Sequence, residues 1–185
     1  MKKLFIVLIT LVSLLNANAS GFFGLNWGDE AFYSINKLRL NYGAFSSYSA
    51  EDNKIYYFEN NKMNVGEVNL NMVCFQFTPF FGKYYLNNFS ALSKPRNNLL
   101  DALNDAEKIY KAMQYSHKLK VVDFVLENLI EEGVARVYMG QINRDNGISV
   151  NFSIFITHDN ENGLDEYKVY CYGGTDDLTE FLSKK

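Results

Sequence analysis

Residues on which catalysis and metal binding are commonly built are scarce in this 185-residue chain. It contains two histidines, His117 and His158, and two cysteines, Cys74 and Cys171, and neither cysteine belongs to a C-x-x-C pair. A zinc site needs three or four ligands, and a thioredoxin-like site needs paired cysteines. No serine lies in G-x-S-x-G, and no glycine-rich loop precedes Lys-Ser or Lys-Thr. We therefore predict no catalytic residue, no metal ligand and no cofactor.

Proline and basic residues are also few. Two prolines and the lack of any low-complexity tract argue against a long disordered linker. Lys and Arg number 18 against 21 Asp and Glu, so the formal charge is −3, and the positive residues form no basic run. A negatively charged chain without a basic patch does not attract nucleic acid or anionic lipid, so we expect neither as a partner.

The N-terminus has the three-part pattern of a secretory signal peptide. A short basic start precedes an almost unbroken apolar run, Leu4–Leu15, and small residues follow at Ala17 and Ala19. Twelve residues of helix rise about 18 Å, which is well short of the roughly 30 Å core of a bilayer. We therefore expect 1–19 to be a signal peptide, cleaved between Ala19 and Ser20.

The remaining chain, 20–185, is long enough for a single soluble domain with its own core. Loss of Lys2 and Lys3 changes its formal charge from −3 to −5. No cysteine at the cleavage site offers a lipid anchor, and no later run reaches eighteen apolar residues. We expect a periplasmic or secreted protein that has no stable membrane anchor after cleavage.

Export makes the two cysteines a candidate pair. Disulfides persist in oxidising compartments, and an even number of cysteines favours them. Both residues fall on apolar strand faces, and two strands of one sheet could bring them together. One interpretation is therefore a disulfide between Cys74 and Cys171, and the alternative is two buried thiols that act as small apolar side chains.

Apolar periodicity predicts an α+β fold, in which antiparallel strands joined by tight turns pack against a helical layer. The predicted order is helix, strands, two helices, strands and a short C-terminal helix. The first helix is expected at 30–40, capped by Asp29, and strands at 55–59, 68–78 and 84–89 follow it. A helix is then entered near Pro95, with its apolar stripe over Leu99–Met113, and a second helix covers Val122–Ile130. The last strands start at Val134 and cover 148–156 and 166–172, before a short helix at 175–182.

The most distinctive local motif is Gly24–Gly28, read with Phe22 as Phe-x-Gly-Leu-x-Trp-Gly. The pattern resembles the opening of small exported bacterial proteins of unknown function. This resemblance covers about a dozen residues and implies no activity. Trp27 is expected to anchor the segment to the core, while the glycines permit a tight bend. The alternative is a contact patch formed by Phe22, Phe23 and Trp27.

Two functions follow from these patterns. The first is a non-enzymatic protein that binds an unknown macromolecule outside the cytoplasm, because Tyr, Phe and Asn are abundant and serve interfaces well. The alternative is a carrier of a small apolar ligand in a cavity between sheet and helices. That cavity is expected to be lined by Phe75, Phe77, Phe152 and Ile154.

Overall fold

A computed structural model describes residues 23–59, 62–117, 120–123, 134–143, 149–160, 163–175 and 178–183. The elements along these residues form two similar series, each a helix followed by several strands, and a short helix follows the second series. The elements are α1 (Ala31–Tyr42), β1 (Ser46–Ala50), β2 (Asn53–Phe58), β3 (Asn64–Val65), β4 (Val68–Phe80), β5 (Lys83–Ser93), α2 (Leu99–His117), β6 (Lys120–Asp123), β7 (Val134–Asn143), β8 (Ser149–Asp159), β9 (Glu166–Gly174) and α3 (Leu178–Ser183).

The described strands form one antiparallel sheet. Eight of them hydrogen-bond in the order β1-β2-β4-β5-β9-β8-β7-β6, and β3 pairs with the start of β4. Each half of the chain is a helix followed by a series of antiparallel strands, and the last strands of the halves, β5 and β9, pair at the centre. The α+β class with an antiparallel sheet is therefore confirmed.

The helices pack on one face of this sheet. Alternate residues of β4 and β5 are buried beneath them, as expected for strands with one covered face. Helix α2 contributes a buried stripe at three- and four-residue spacing, which is the side of a helix that faces a core. The stripe is Ala102, Ala106, Ile109 and Met113, and α1 adds Ile35 and Leu38.

The predicted order of elements is wrong after α2. Lys120–Asp123 forms β6, paired antiparallel with β7, at the place where a second helical stripe was expected to begin at Val122. Without β6, strand β7 would be the edge of the sheet, with unpaired backbone N–H and C=O groups on its outer side. The β-branched Val121 and Val122 favour a strand at this place. Residues 124–133, which hold the rest of that stripe, lie outside the described residues.

Strand β4 continues past its predicted end. It runs through Pro79 to Phe80, whereas the sequence predicted a break after Thr78. Strand β2 pairs with Val73–Phe77, so from Thr78 to Phe80 the partner of β4 among the described strands is β5 alone. Proline is tolerated where one side of a strand has no partner.

Helix α2 starts later than predicted. Its cap is Asn98, whose side-chain oxygen accepts a hydrogen bond of 2.9 Å from the Asp101 N–H and whose amide donates to the Asp101 carboxylate. Pro95, the predicted first-turn residue, precedes this cap. Between them Arg96 forms an isolated antiparallel bridge with Tyr167, with two backbone hydrogen bonds of 2.8 Å, so the chain is not yet helical there.

Arg96 also forms a bidentate ion pair with Asp105 of α2. Its Nε lies 2.7 Å from Asp105 Oδ2, and its terminal nitrogen lies 3.1 Å from Asp105 Oδ1. The Asp105 side chain is 5% exposed, whereas that of Arg96 is 43% exposed. The guanidinium therefore covers a carboxylate that the fold has largely removed from water.

Candidate functional site

The structure places Trp27, one of the three residues of the predicted contact patch, in the interior. Trp27 is 1% exposed and belongs to the core. Phe23 is half-buried, with its ring edge-on to the rings of Tyr42 and Phe75 at 5.9 Å in each case. Phe22 lies outside the described residues. The contact-patch interpretation is therefore wrong for Trp27, which packs inward.

Backbone hydrogen bonds explain why this segment packs inward. The Gly28 N–H donates to the Leu86 carbonyl at 2.8 Å, and the Leu86 N–H donates to the Asp29 carbonyl at 2.9 Å. The segment is thereby fixed to β5. Asp29 was predicted to cap α1, but its carboxylate accepts a hydrogen bond from the Asn26 N–H at 2.7 Å, and Glu30 occupies the cap position.

The two cysteines are free thiols on opposite faces of the sheet. Cys74 on β4 is paired with Ser90 of β5, and Cys171 on β9 is paired with Ala91 of β5. Successive strand residues point to opposite faces, and two strand spacings amount to about 9 to 10 Å. A disulfide needs Cα atoms about 4.4 to 6.8 Å apart, so the disulfide interpretation is wrong.

The thiols are expected to differ in reactivity. Burial raises the pKa of Cys171 to about 12. Burial also raises the pKa of the half-buried Cys74, an effect that a hydrogen bond with Ser90 opposes. Because the thiolate is the reactive form, iodoacetamide without reductant should label Cys74 slowly in the folded protein and Cys171 only after unfolding. Peptide mass spectrometry would show this, and a cross-linked Cys74–Cys171 peptide would contradict it.

The residues predicted to line an apolar cavity are tightly packed. Phe75, Phe77, Phe152 and Ile154 are each at most 1% exposed. Phe75 meets Phe58 edge-on at 6.0 Å, Phe77 meets Tyr56 at 5.6 Å, and Phe152 stacks on Phe89 at 6.5 Å. This packing does not favour a ligand cavity at that place.

The sheet face opposite the helices carries two rows of uncharged side chains. Residues paired on neighbouring strands point to the same face, so the strand register defines each row. One row is Tyr48, Ile55, Gln76, Asn88, Gly174 and Asn151, and the adjacent row is Tyr57, Cys74, Ser90, Tyr172 and Ser153. Hydroxyl, amide and aromatic groups thus extend across six strands without a charge.

A recess of about 170 Å³ lies over these rows. We call it the tyrosine trough; its lining is Tyr48, Ile55, Cys74, Gln76, Asn88, Phe89, Ser90, Tyr170 and Tyr172. The side-chain amide of Asn88 lies at the centre of the trough, against Gly174. A Cβ at Gly174 would lie 1.9 Å from Asn88 Oδ1, so only glycine leaves room for this amide. Asn88 Oδ1 is buried and accepts no hydrogen bond, while Asn88 Nδ2 lies 3.5 Å from Gln76 Oε1.

A second surface lies where the start of α1 meets the β4–β5 turn. Phe32, Tyr33 and Phe81 are 67%, 70% and 91% exposed, and we call these three residues the aromatic end. A recess of about 430 Å³ lies beside them, and its lining includes Phe32, the neighbour of Tyr33, and Gly82, the neighbour of Phe81. An ion pair between Lys83 and Glu30, at 2.9 Å, joins the turn to the helix.

Phe81 has an unusual backbone conformation. Its φ is 46° and that of Gly82 is 77°, and Phe80 pairs directly with Lys83. Two positive φ values in a two-residue hairpin are the mark of a type I′ turn, in which Asn-Gly is the favoured sequence. A bulky residue in this conformation costs on the order of 1–3 kcal/mol. The turn therefore leaves the Phe81 ring exposed to solvent, and its backbone strain lowers the stability of the folded protein.

Comparison with known proteins finds no match among family models, curated sequences or solved structures. No described helix is both long and apolar enough to cross a membrane. Across the described residues, no group of three or more His, Cys, Asp or Glu side chains could hold a metal ion. Function must therefore be argued from the two surfaces.

Proposed function

We propose that this protein is exported, cleaved after Ala19, and acts outside the cytoplasm as a non-enzymatic protein that binds a protein partner through the aromatic end. The observation that carries this proposal is Phe81, which is 91% exposed and has a φ of 46°. Strain of this kind persists where the surrounding structure imposes it, and it concentrates at functional sites. An asparagine would form the same turn with less strain.

The chemistry of the aromatic end suits a protein partner. Aromatic side chains provide large contact areas and are frequent among the residues that dominate binding energy. The adjacent recess of about 430 Å³ is large enough to receive an apolar side chain of the partner. Both lysines of its lining already have partners within it, because Lys83 pairs with Glu30 and the Lys54 ammonium lies 4.1 Å from the centre of the Tyr84 ring.

Substitution of Phe81 tests the proposal. Phe81→Asn is expected to raise the free energy of unfolding by about 1 kcal/mol, because Asn-Gly suits a type I′ turn. The same change should abolish capture of the partner by the immobilised protein from the exported fraction of the producing cells. Leu164→Asn is the matched control, because Leu164 is 72% exposed and lies in the β8–β9 connection.

Three results would contradict the proposal. The first is a partner that Phe81→Asn captures as well as the unchanged protein does. The second is equal loss of capture with Leu164→Asn, which would indicate unspecific adhesion of apolar residues. The third concerns export: a chain from the exported fraction whose N-terminal residue is not Ser20 would contradict cleavage after Ala19.

A further inference from the structure

We propose that the tyrosine trough binds a neutral oligosaccharide that lies across the central strands of the sheet. This site shares no residue with the aromatic end, because the two recesses have separate linings. It lies on the sheet face opposite the helices, as the strand register shows. The proposal is therefore independent of partner binding by Phe81.

The absence of charge in the lining selects the class of ligand. The whole chain has 39 charged residues, yet none of the nine residues that line the trough is charged. A carboxylate, phosphate or ammonium group buried here would lose water and gain no opposite charge. A ligand without charge avoids this cost, so the lining is complementary to a neutral molecule.

The polar groups of the trough suit hydroxyl groups. Gln76, Asn88 and Ser90 form its floor, and each can both donate and accept hydrogen bonds. Asn88 Oδ1 is buried and accepts no hydrogen bond. A buried carbonyl without a donor is unfavourable, so the Asn88 amide gains by turning toward a ligand hydroxyl. Sugar hydroxyls, which donate and accept, match this floor.

Tyrosines lie at both ends of this floor. Tyr48 is on β1 at one end, and Tyr170 and Tyr172 are on β9 at the other. Each ring offers an apolar face and a hydroxyl, which suit the C–H faces and hydroxyls of a sugar ring. Four strand spacings separate β1 from β9, or about 19 Å. That length fits a chain of several sugar units better than a single ring.

The position of the trough also distinguishes sugar from peptide. Extended peptides bind sheets by adding a strand at an edge, where backbone groups are unpaired. The middle of the trough lies over β4 and β5, which are paired on both sides along this stretch, and only Tyr48 at its end belongs to the edge strand β1. Its recess of about 170 Å³ is also smaller than the roughly 300 to 1,000 Å³ that encloses a whole small molecule. The ligand therefore lies along the face and is held by side chains.

Calorimetric titration of the purified chain tests this proposal. The probes are neutral hexasaccharides of glucose, N-acetylglucosamine, galactose and mannose, a sulfated heparin hexasaccharide, and an uncharged hexapeptide of glycine and serine. At least one neutral sugar should bind, and Asn88→Ala and Tyr48→Ala should each weaken that binding about tenfold. Tyr48 is 54% exposed on an edge strand, so its replacement should leave the fold intact.

Tyr33→Ala is the matched control, because Tyr33 is an exposed tyrosine on α1. Unchanged sugar affinity for Tyr33→Ala and Phe81→Asn would support the proposal. It would be overturned if no neutral hexasaccharide bound, or if only the heparin fragment or the peptide bound. It would also be overturned if Asn88→Ala and Tyr48→Ala, folded by circular dichroism, bound the sugar as tightly as the unchanged protein.

Discussion

Replacement of Trp27 by alanine is expected to lower the free energy of unfolding by about 3 to 5 kcal/mol. The indole is 1% exposed and packs over the central strands, where a Cβ added to Gly173 would lie 3.3 Å from its Cζ2 atom. The same added atom would lie 2.9 Å from the ring of Phe89. Truncation would leave a large cavity between rigid aromatic and strand surfaces, which relax only partly.

Urea denaturation followed by circular dichroism measures this loss. Trp27 is the sole tryptophan, so its own fluorescence cannot serve as a probe in Trp27→Ala. Phe32→Ala is the control, because Phe32 is an exposed aromatic side chain and its loss should change stability by at most about 0.5 kcal/mol. Equal stability of the two variants would show that Trp27 is a surface residue and would restore the contact-patch interpretation.

Replacement of Arg96 by methionine is expected to cost about 2 to 3 kcal/mol of unfolding free energy. The change leaves the Asp105 carboxylate, whose side chain is 5% exposed, without its partner. Loss of one member of a buried pair costs about 3 to 5 kcal/mol. The 43% exposure of Arg96 lets solvent screen the pair, which reduces the expected loss.

A second variant separates this unpaired charge from lost packing. In Arg96→Met combined with Asp105→Asn, the buried group is neutral, so at least half of the lost stability should return. Both variants are compared by denaturation at the same pH and salt concentration. If the double variant proved less stable than Arg96→Met alone, the buried carboxylate would not be the source of the loss.

The parts of the fold that were predictable are those with a strong periodic pattern. The alternation over 148–156 predicted a strand, and β8 occupies Ser149–Asp159. The helical stripe ending at Met113 likewise lies in α2. At Lys120–Asp123 two adjacent valines fit a helical stripe and a strand equally well, and pairing with β7 decided between them.

The surfaces were harder to predict because they depend on partners distant in sequence. A glycine at position 82 favours a turn, but the positive φ of both Phe81 and Gly82 follows from the direct pairing of Phe80 with Lys83, which the sequence alone does not reveal. The trough depends on strand register, which places Asn88 beside Gln76 on one side and Gly174 on the other. For Trp27 the sequence allowed two predictions, a core anchor and an exposed patch, and its motif could not decide between them.

The pairing of β5 with β9 has a consequence for the order in which the protein acquires its surfaces. Contacts within each series of strands close short loops, whereas the β5–β9 pair joins the two halves of the chain and closes a long one. Non-local pairings of this kind are slow to form. The aromatic end lies wholly in the first half, but the trough takes Asn88 from one half and Tyr172 from the other. Only a chain in which β5 has paired with β9 can therefore present the trough.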